Sequence, residues 1–299
     1  MKKYRKRLLS ALLAAALILL QTTPLQAEKQ PKIRMLQASD WQDSEEKQED
    51  PNITFLLIGQ DGRPDTPGKR SDSMILCTFQ PSQKKLVMTS ILRDLYVKIP
   101  GYGYERINAA YALGGRELLK ETLKENLGII PDGTLEVDFG RFSGIIDTLG
   151  GVTLELRRDE VQEINTLVPE GSLKPGIQKM NGRQTLAYAR IRDLDADSDF
   201  SRTLRQRKVL EALTDQFRNL SFPDMVLLIR KLIPAVDTDL SGFALLTYGK
   251  MLLPLLKDLQ VEGRQIPDPS SCSDRKIRGM WVLYPDLPRI RSQMEDLFS

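Results

Sequence analysis

The chain contains no histidine, and only two of its 299 residues are cysteine, Cys77 and Cys272. Without imidazole, any general base must be a carboxylate. With no Cys-x-x-Cys pair and no Cys/His cluster, a zinc site is excluded. A strong charge imbalance is missing too: 43 Lys and Arg stand against 40 Asp and Glu, a net charge of +3, and the two signs are interspersed. Such a chain has no broad cationic face for nucleic acid, so any anion site must be local. The apolar run near the start, Leu8 to Leu20, is thirteen residues, or ~20 Å as a helix against a hydrocarbon core of ~30 Å.

What is present begins with that run. Lys2, Lys3, Arg5, Lys6 and Arg7 precede it and Leu25-Gln26-Ala27 follows, the layout of an export signal. Residues 1–27 therefore read as a signal peptide cut after Ala27 or as a retained membrane anchor, and either places the protein on the outer face of the cytoplasmic membrane or in the cell wall. Residues 28–51 are polar and acidic, a flexible linker, and folded structure is expected from about Asn52. With 41% hydrophobic and 28% charged residues, the remainder can bury a sizeable core. Cys77, inside "MILCTF", reads as a small buried hydrophobe, although an exported protein permits a disulfide with Cys272.

"NITFLLIG" (52–59), "SMILCTF" (73–79) and "KLVMTSI" (85–91) are short, apolar and bounded by turn residues, the signature of buried strands. As an antiparallel meander they bring Asp61, Arg70, Asp72, Arg93 and Asp94 to one edge of a sheet. Carboxylates beside arginines suit a divalent cation shared with a phosphate whose other oxygens the guanidinium groups hold. Residues 106–128 read as a helix stopped by Gly128, and 134–156 as strand, helix, strand, giving an α/β layered domain. The stretch 157–180 shows little periodicity and reads as a long surface loop able to act as a lid.

The segment "YARIRDLDADSDFSRTLRQRK" (188–208) is rich in arginine. A helix starting near Ser201 puts Arg202, Arg205 and Gln206 on the core stripe with Val209, Leu213, Phe217 and Leu220, and leaves Arg207, Lys208 and Glu211 on a solvated back face. Arg190 and Arg192, just upstream, are expected to point inward as well. Buried guanidinium groups need an anion. Either a ligand supplies it, or the aspartates of the same segment, Asp193, Asp195, Asp197 and Asp199, do. "FPDMVLLIRKLIPAV" and "FALLTYGKMLLPLLKDL" read as two apolar helices, with core packing preferred over a pocket wall, and residues 280–298 as a closing strand and helix.

The motifs "RSDSMIL" (70–76), "SILRD" (90–94), "RINAAYALGG" (106–115), "NGRQTLAYARIR" (181–192) and "DFSRTLRQRKVL" (199–210) resemble, in order and spacing, those of the LytR-CpsA-Psr family. The resemblance implies a three-layer α/β/α fold with a central mixed sheet, a catalytic core over 52–221 and an extension, 222–299, packed on the same domain. It further implies a phosphotransferase that moves a glycopolymer from an undecaprenyl-pyrophosphate carrier at the membrane surface to a peptidoglycan hydroxyl. Carried over by motif, the pyrophosphate contacts fall on Arg70, Arg93, Arg190, Arg192, Arg202 and Gln206, and a Mg2+ (or Mn2+) ion on Asp61 and Asp72. The catalytic residues are expected to be Arg93, Asp72 and Asp94, with Asp72 or Asp94 as the base. Leu92 stands where the family usually has proline, which is expected to loosen that turn. The alternatives are a non-catalytic receptor for the same lipid and a transcriptional attenuator, the latter disfavoured by the export signal and the small net charge.

Overall fold

The computed structural model describes residues 52–60, 71–192, 194, 198–218 and 220–298. The signal or anchor, the linker, and Asp61, Arg70, Asp193, Asp195 and Asp197 lie outside the described residues. β1 (Ile53–Gln60), β2 (Ser71–Gln80) and β3 (Lys85–Ile91) form the antiparallel meander, with Ile58 opposite Met74 and Cys77 opposite Met88. Alternation along these strands feeds two cores. Leu56, Ile58, Met74 and Leu76 pack into one with Leu119 and Leu123, while Ile75, Cys77, Leu86 and Met88 face the opposite layer. Burial pushes the Cys77 thiol up to about 12, and both cysteines are free thiols.

A small hairpin of β4 (Tyr96–Ile99) and β5 (Gly103–Arg106) leads into α1 (Asn108–Leu127), which ends at Gly128 in the left-handed conformation, φ 72°. The helix is interrupted at Gly114 and Gly115, the latter with φ 64°, a backbone state that glycine adopts without steric cost. β6 (Gly133–Asp138) runs parallel to β1, and α2 (Phe139–Thr148) starts there, its Arg141 amide donating to the Asp138 carboxylate at 2.8 Å. β7 (Val152–Leu156), α3 (Arg158–Leu167), β8 (Gly176–Met180), α4 (Gly182–Arg190) and α5 (Ser198–Phe217) follow. The chain then continues as α6 (Phe222–Leu232), β9 (Asp237–Thr238), α7 (Gly242–Leu252), β10 (Gln260–Ile266), β11 (Cys272–Ile277), β12 (Met280–Pro285) and α8 (Leu287–Phe298).

The central sheet is mixed and six-stranded, in the order β10-β3-β2-β1-β6-β9. Its edge strands, β9 and β10, both come from the region beyond residue 221. One face carries α1 and α8, which share a core with β1 and β2. On the other, α2 to α5 and the β7–β8 hairpin gather around Ile146, Val161, Ile164, Tyr188, Val209 and Leu213.

Two expectations fail at this level. The stretch 157–180 is not a loop: α3 begins where the Glu160 carboxylate accepts the Arg157 amide at 3.0 Å, and β8 pairs with β7. A helix of ten residues shows only one short apolar stripe, here Val161 and Ile164, and burial against the second core rather than periodicity stabilises it. The turn at Leu92 is not loosened either. Leu92 is fully buried and its amide donates to the Ile266 carbonyl at 2.7 Å, a bond that proline has no N–H to make.

Candidate functional site

The β1 and β6 carboxyl ends, the start of β2 and the end of β3 meet at one sheet edge, where α5 begins. Arg93, on the turn after β3, is the hub. Its guanidinium lies 3.2 Å from Asp72, 3.2 Å from Asp199 and 3.6 Å from Asp94. Burial acts to lower its pKa but is outweighed by Asp199, Asp94 and Asp72, which together hold it above its ordinary value. Asp94 is held from its other side by Arg106 of β5 at 3.0 Å. Arg202, in the second turn of α5, is 2% exposed and reaches Asp199 at 3.4 Å, while its Nε has no partner. Burial, reinforced by Arg93 and Arg192 and opposed by Asp199 and Asp72, brings Arg202 down to about 10. It is therefore charged at neutral pH, buried and incompletely paired, which leaves it ready for an anion.

Below this cluster lies an apolar cavity of about 460 Å³ between the sheet and the α4–α7 layer. Leu57, Ile75, Leu135 and Val137 form its floor, and Val209, Leu210, Leu228 and Leu232 its roof. Its few polar lining groups include Ser73, Gln206 and Arg190. The Ser73 hydroxyl donates to the Gln206 Oε1 at 2.8 Å, and the Arg190 guanidinium sits 4.5 Å from the centroid of the Phe139 ring. The apolar helices α6 and α7, expected mainly as core packing, wall this cavity through Leu228, Ile229, Leu232 and Leu245. Behind the edge, on the other sheet face, Gln60 at the end of β1 is bound to Tyr111 and to Glu136, which is 3% exposed.

Of the residues expected at the site, Asp72, Arg93, Asp94 and Arg202 converge, and Arg190 and Gln206 join them at the cavity lining. Arg190 and Arg192 are exposed rather than inward and buried, because α4 ends at Arg190 and its core side is taken by Ala187, Tyr188 and Ala189. Arg205 turns away from the mouth to the buried carboxylate of Glu160, 3.0 Å distant. Arg207, placed by helical spacing on the solvated back face, is 6% exposed and donates to the Ser90 hydroxyl at 2.7 Å. α5 is covered on that side by β3 and β10, where Gly263 lies against Arg207, so a one-sided helical wheel misassigns it. The helix also starts at Ser198 rather than Ser201, which puts Asp199 in the first turn, where the helix dipole favours a carboxylate. Asp199 contacts both Arg93 and Arg202, so one of the four local aspartates does meet the arginines. The Asp-x-x-Arg spacing of Asp199 and Arg202 at a helix start was the available signal for it; Arg106, joined to Asp94 only through the fold, offered none.

The donors at the mouth are oxygens, which suits a hard divalent cation. Asp72 is there, its implied partner Asp61 is outside the described residues, and among the described residues no group of three acidic or cysteine side chains is arranged to hold a metal.

Fold and site together define a three-layer α/β protein with a cluster of arginines and aspartates at one sheet edge, next to an apolar cavity. The LytR_cpsA_psr family model matches residues 20–298, and the chain belongs to that family. The regulatory protein MsrR of Staphylococcus aureus (strain COL) is 40% identical over 172 residues, 57% of this chain and 50% of MsrR. The polyisoprenyl-teichoic acid–peptidoglycan teichoic acid transferase TagT of Bacillus subtilis (strain 168) is 37% identical over 177 residues, 57% of this chain and 54% of TagT. The chain spans about half the length of the curated relatives it matches. A structure of TagT bound to LIIa-WTA superposes with a TM-score of 0.69 at 30% identity, covering 83% of this chain and 89% of that one. The family protein YwtF (TagT) with bound octaprenyl pyrophosphate lipid gives 0.65 at 27% identity, over 84% and 91%.

Proposed function

We propose that this protein is a glycopolymer transferase of the cell envelope, taking its donor from a polyprenyl (undecaprenyl) pyrophosphate carrier and passing the polymer to a peptidoglycan hydroxyl. The observation that carries this reading is the buried, incompletely paired Arg202 beside Arg93 at the mouth of an apolar cavity. The cavity takes the isoprenoid tail, and Arg93, Arg190, Arg202 and Gln206, with Arg70 and Arg192, take the pyrophosphate. The naming of TagT as a transferase, and its structures with lipid pyrophosphate and LIIa-WTA, support the same assignment.

In the reaction the acceptor oxygen attacks the phosphorus that carries the polymer. A new P–O bond forms, the bridging P–O bond breaks, and polyprenyl monophosphate leaves. Such transition states are loose and ask mainly for charge neutralisation and alignment, which guanidinium groups fixed by Asp72, Asp94 and Asp199 provide without reorganising. The hydroxyl proton is lost late and passes to a carboxylate, Asp94 when Asp72 is engaged elsewhere. Asp61 and Asp72 would hold Mg2+ (or Mn2+), which when bound adds positive charge at the phosphates.

No helix among the described residues is long and apolar enough to cross a membrane. The test is turnover: the chain, incubated with a polyprenyl-pyrophosphate-linked saccharide and uncross-linked peptidoglycan, should release polyprenyl monophosphate and label the glycan. Tight lipid binding with no release over many binding lifetimes would convert the reading to a receptor.

A further inference from the structure

A row of aromatic rings runs along the surface away from the anion site. Tyr96 and Tyr104 on the β4–β5 hairpin have ring centroids 5.9 Å apart and planes 27° apart. On its other side Tyr96 lies 6.4 Å from Tyr284 of β12, with planes 28° apart. The guanidinium of Arg275 on β11 covers the Tyr284 ring at 3.8 Å. The centre of the row is anchored and its ends are offered to solvent: Tyr96 is 9% exposed, Tyr284 39% and Tyr104 57%.

The row is joined to the catalytic turn by backbone. Leu283 donates its amide to the Asp94 carbonyl at 2.9 Å, Leu95 bridges to Leu283, and β5 ends in Arg106, the residue that holds Asp94. Tyr96 is thus two residues from Asp94 and three from Arg93. Cross-strand packing accounts for Tyr96, but leaves unexplained why Tyr104 keeps more than half its surface in water.

The exposed ring of Tyr104, at the open end of this stack and with its hydroxyl tip, suits a pyranose sugar, whose flat C–H face packs on an aromatic face while its hydroxyls bond to a polar rim. The rim is electrically balanced, Asp94 and Glu105 standing beside Arg106 and Arg275. A stacked polynucleotide or a polyphosphate would require a cationic groove in that place.

We infer that Tyr104, Tyr96 and Tyr284 form a subsite for a neutral glycan chain of N-acetylhexosamine type, leading the acceptor to Arg93 and Asp94. The acceptor role rests on the transferase reading; the glycan binding does not.

The test is a titration of the full chain with chitohexaose, followed by tyrosine fluorescence and calorimetry, with a glycerol-phosphate polymer and farnesyl pyrophosphate as parallel probes. Saturable chitohexaose binding is expected, weakened tenfold or more in Tyr104→Ala/Tyr284→Ala and retained in Tyr104→Phe/Tyr284→Phe, with farnesyl pyrophosphate affinity unchanged throughout. The single Tyr104→Ala, at an exposed position, gives the same reading should the double variant fail to fold. Equal chitohexaose affinity in the alanine variants, no saturable binding by the wild type, or tighter binding of the glycerol-phosphate polymer through the same tyrosines would overturn the inference. Loss of farnesyl pyrophosphate binding by the wild type would sink the transferase reading and leave the glycan subsite standing.

Discussion

Arg202 and Arg205 sit three residues apart on one stripe of α5, are 2% and 3% exposed, and have different partners. Arg205 meets an internal carboxylate, Glu160, deep between α3 and α5. Arg202 shares Asp199 with Arg93 at the mouth and keeps a donor unused. Further along the helix the guanidinium is matched by the protein's own carboxylate, whereas in its first turns one is left incompletely paired. A buried arginine therefore marks a ligand site only when the fold withholds part of its partner.

The comparison is broken most severely at its closed end. Glu160→Gln should destabilise by about 3–5 kcal/mol, because it removes the negative charge facing a buried guanidinium, and Glu160→Met with Arg205→Met should recover much of that loss. Urea denaturation checks both, and an unchanged midpoint for Glu160→Gln would show the pair to be idle. At the open end, Arg93→Ala and Arg202→Ala should each slow transfer by at least tenfold, ~2–4 kcal/mol in transition-state stabilisation, with native circular dichroism. Full turnover by either folded variant contradicts the clamp.

Arg207 sharpens the contrast, being buried like Arg202 but turned to Ser90. Arg207→Ala should cost about 1–3 kcal/mol in stability through lost packing and an unpaired hydroxyl, while kcat/KM for the folded fraction stays near wild type. A transfer defect at wild-type stability would move Arg207 into the site. Asp72→Asn and EDTA should each slow transfer about tenfold and weaken lipid binding less, since the tail is held by the cavity. If the variant is fully active in EDTA, the arginines act without a metal. Lys208→Ala, at an exposed position, should stay within about 0.5 kcal/mol of wild type and keep full activity.

Much of the site was legible because it lies where strands end. The short apolar runs "TFLLIG", "MILCTF" and "KLVMTSI", bounded by turn residues, set the meander, and the meander places Asp72, Arg93 and Asp94 together. The inward stripe of α5 was legible from its spacing through Val209 and Leu213. Harder to see were contacts between distant segments. Nothing near Asp94 in the sequence announces Arg106 or Tyr284, and nothing near Arg205 announces Glu160. Helical spacing also presumes one solvated side, and α5 has both sides covered at Arg207 because β10, more than fifty positions further on, completes the sheet beneath it.

By itself, then, the sequence determined the three strands of the meander, the inward stripe of α5 and the absence of histidine chemistry. These follow from local spacing and side-chain type, which act within a few residues. Tertiary structure decided which arginine is satisfied from within and which is left open, that α6 and α7 enclose a cavity, and that the 157–180 stretch is an ordered helix and strand. Partner choice for a buried charge depends on which carboxylate the packed chain brings within about 4 Å, and chain packing, rather than spacing along one segment, sets that distance.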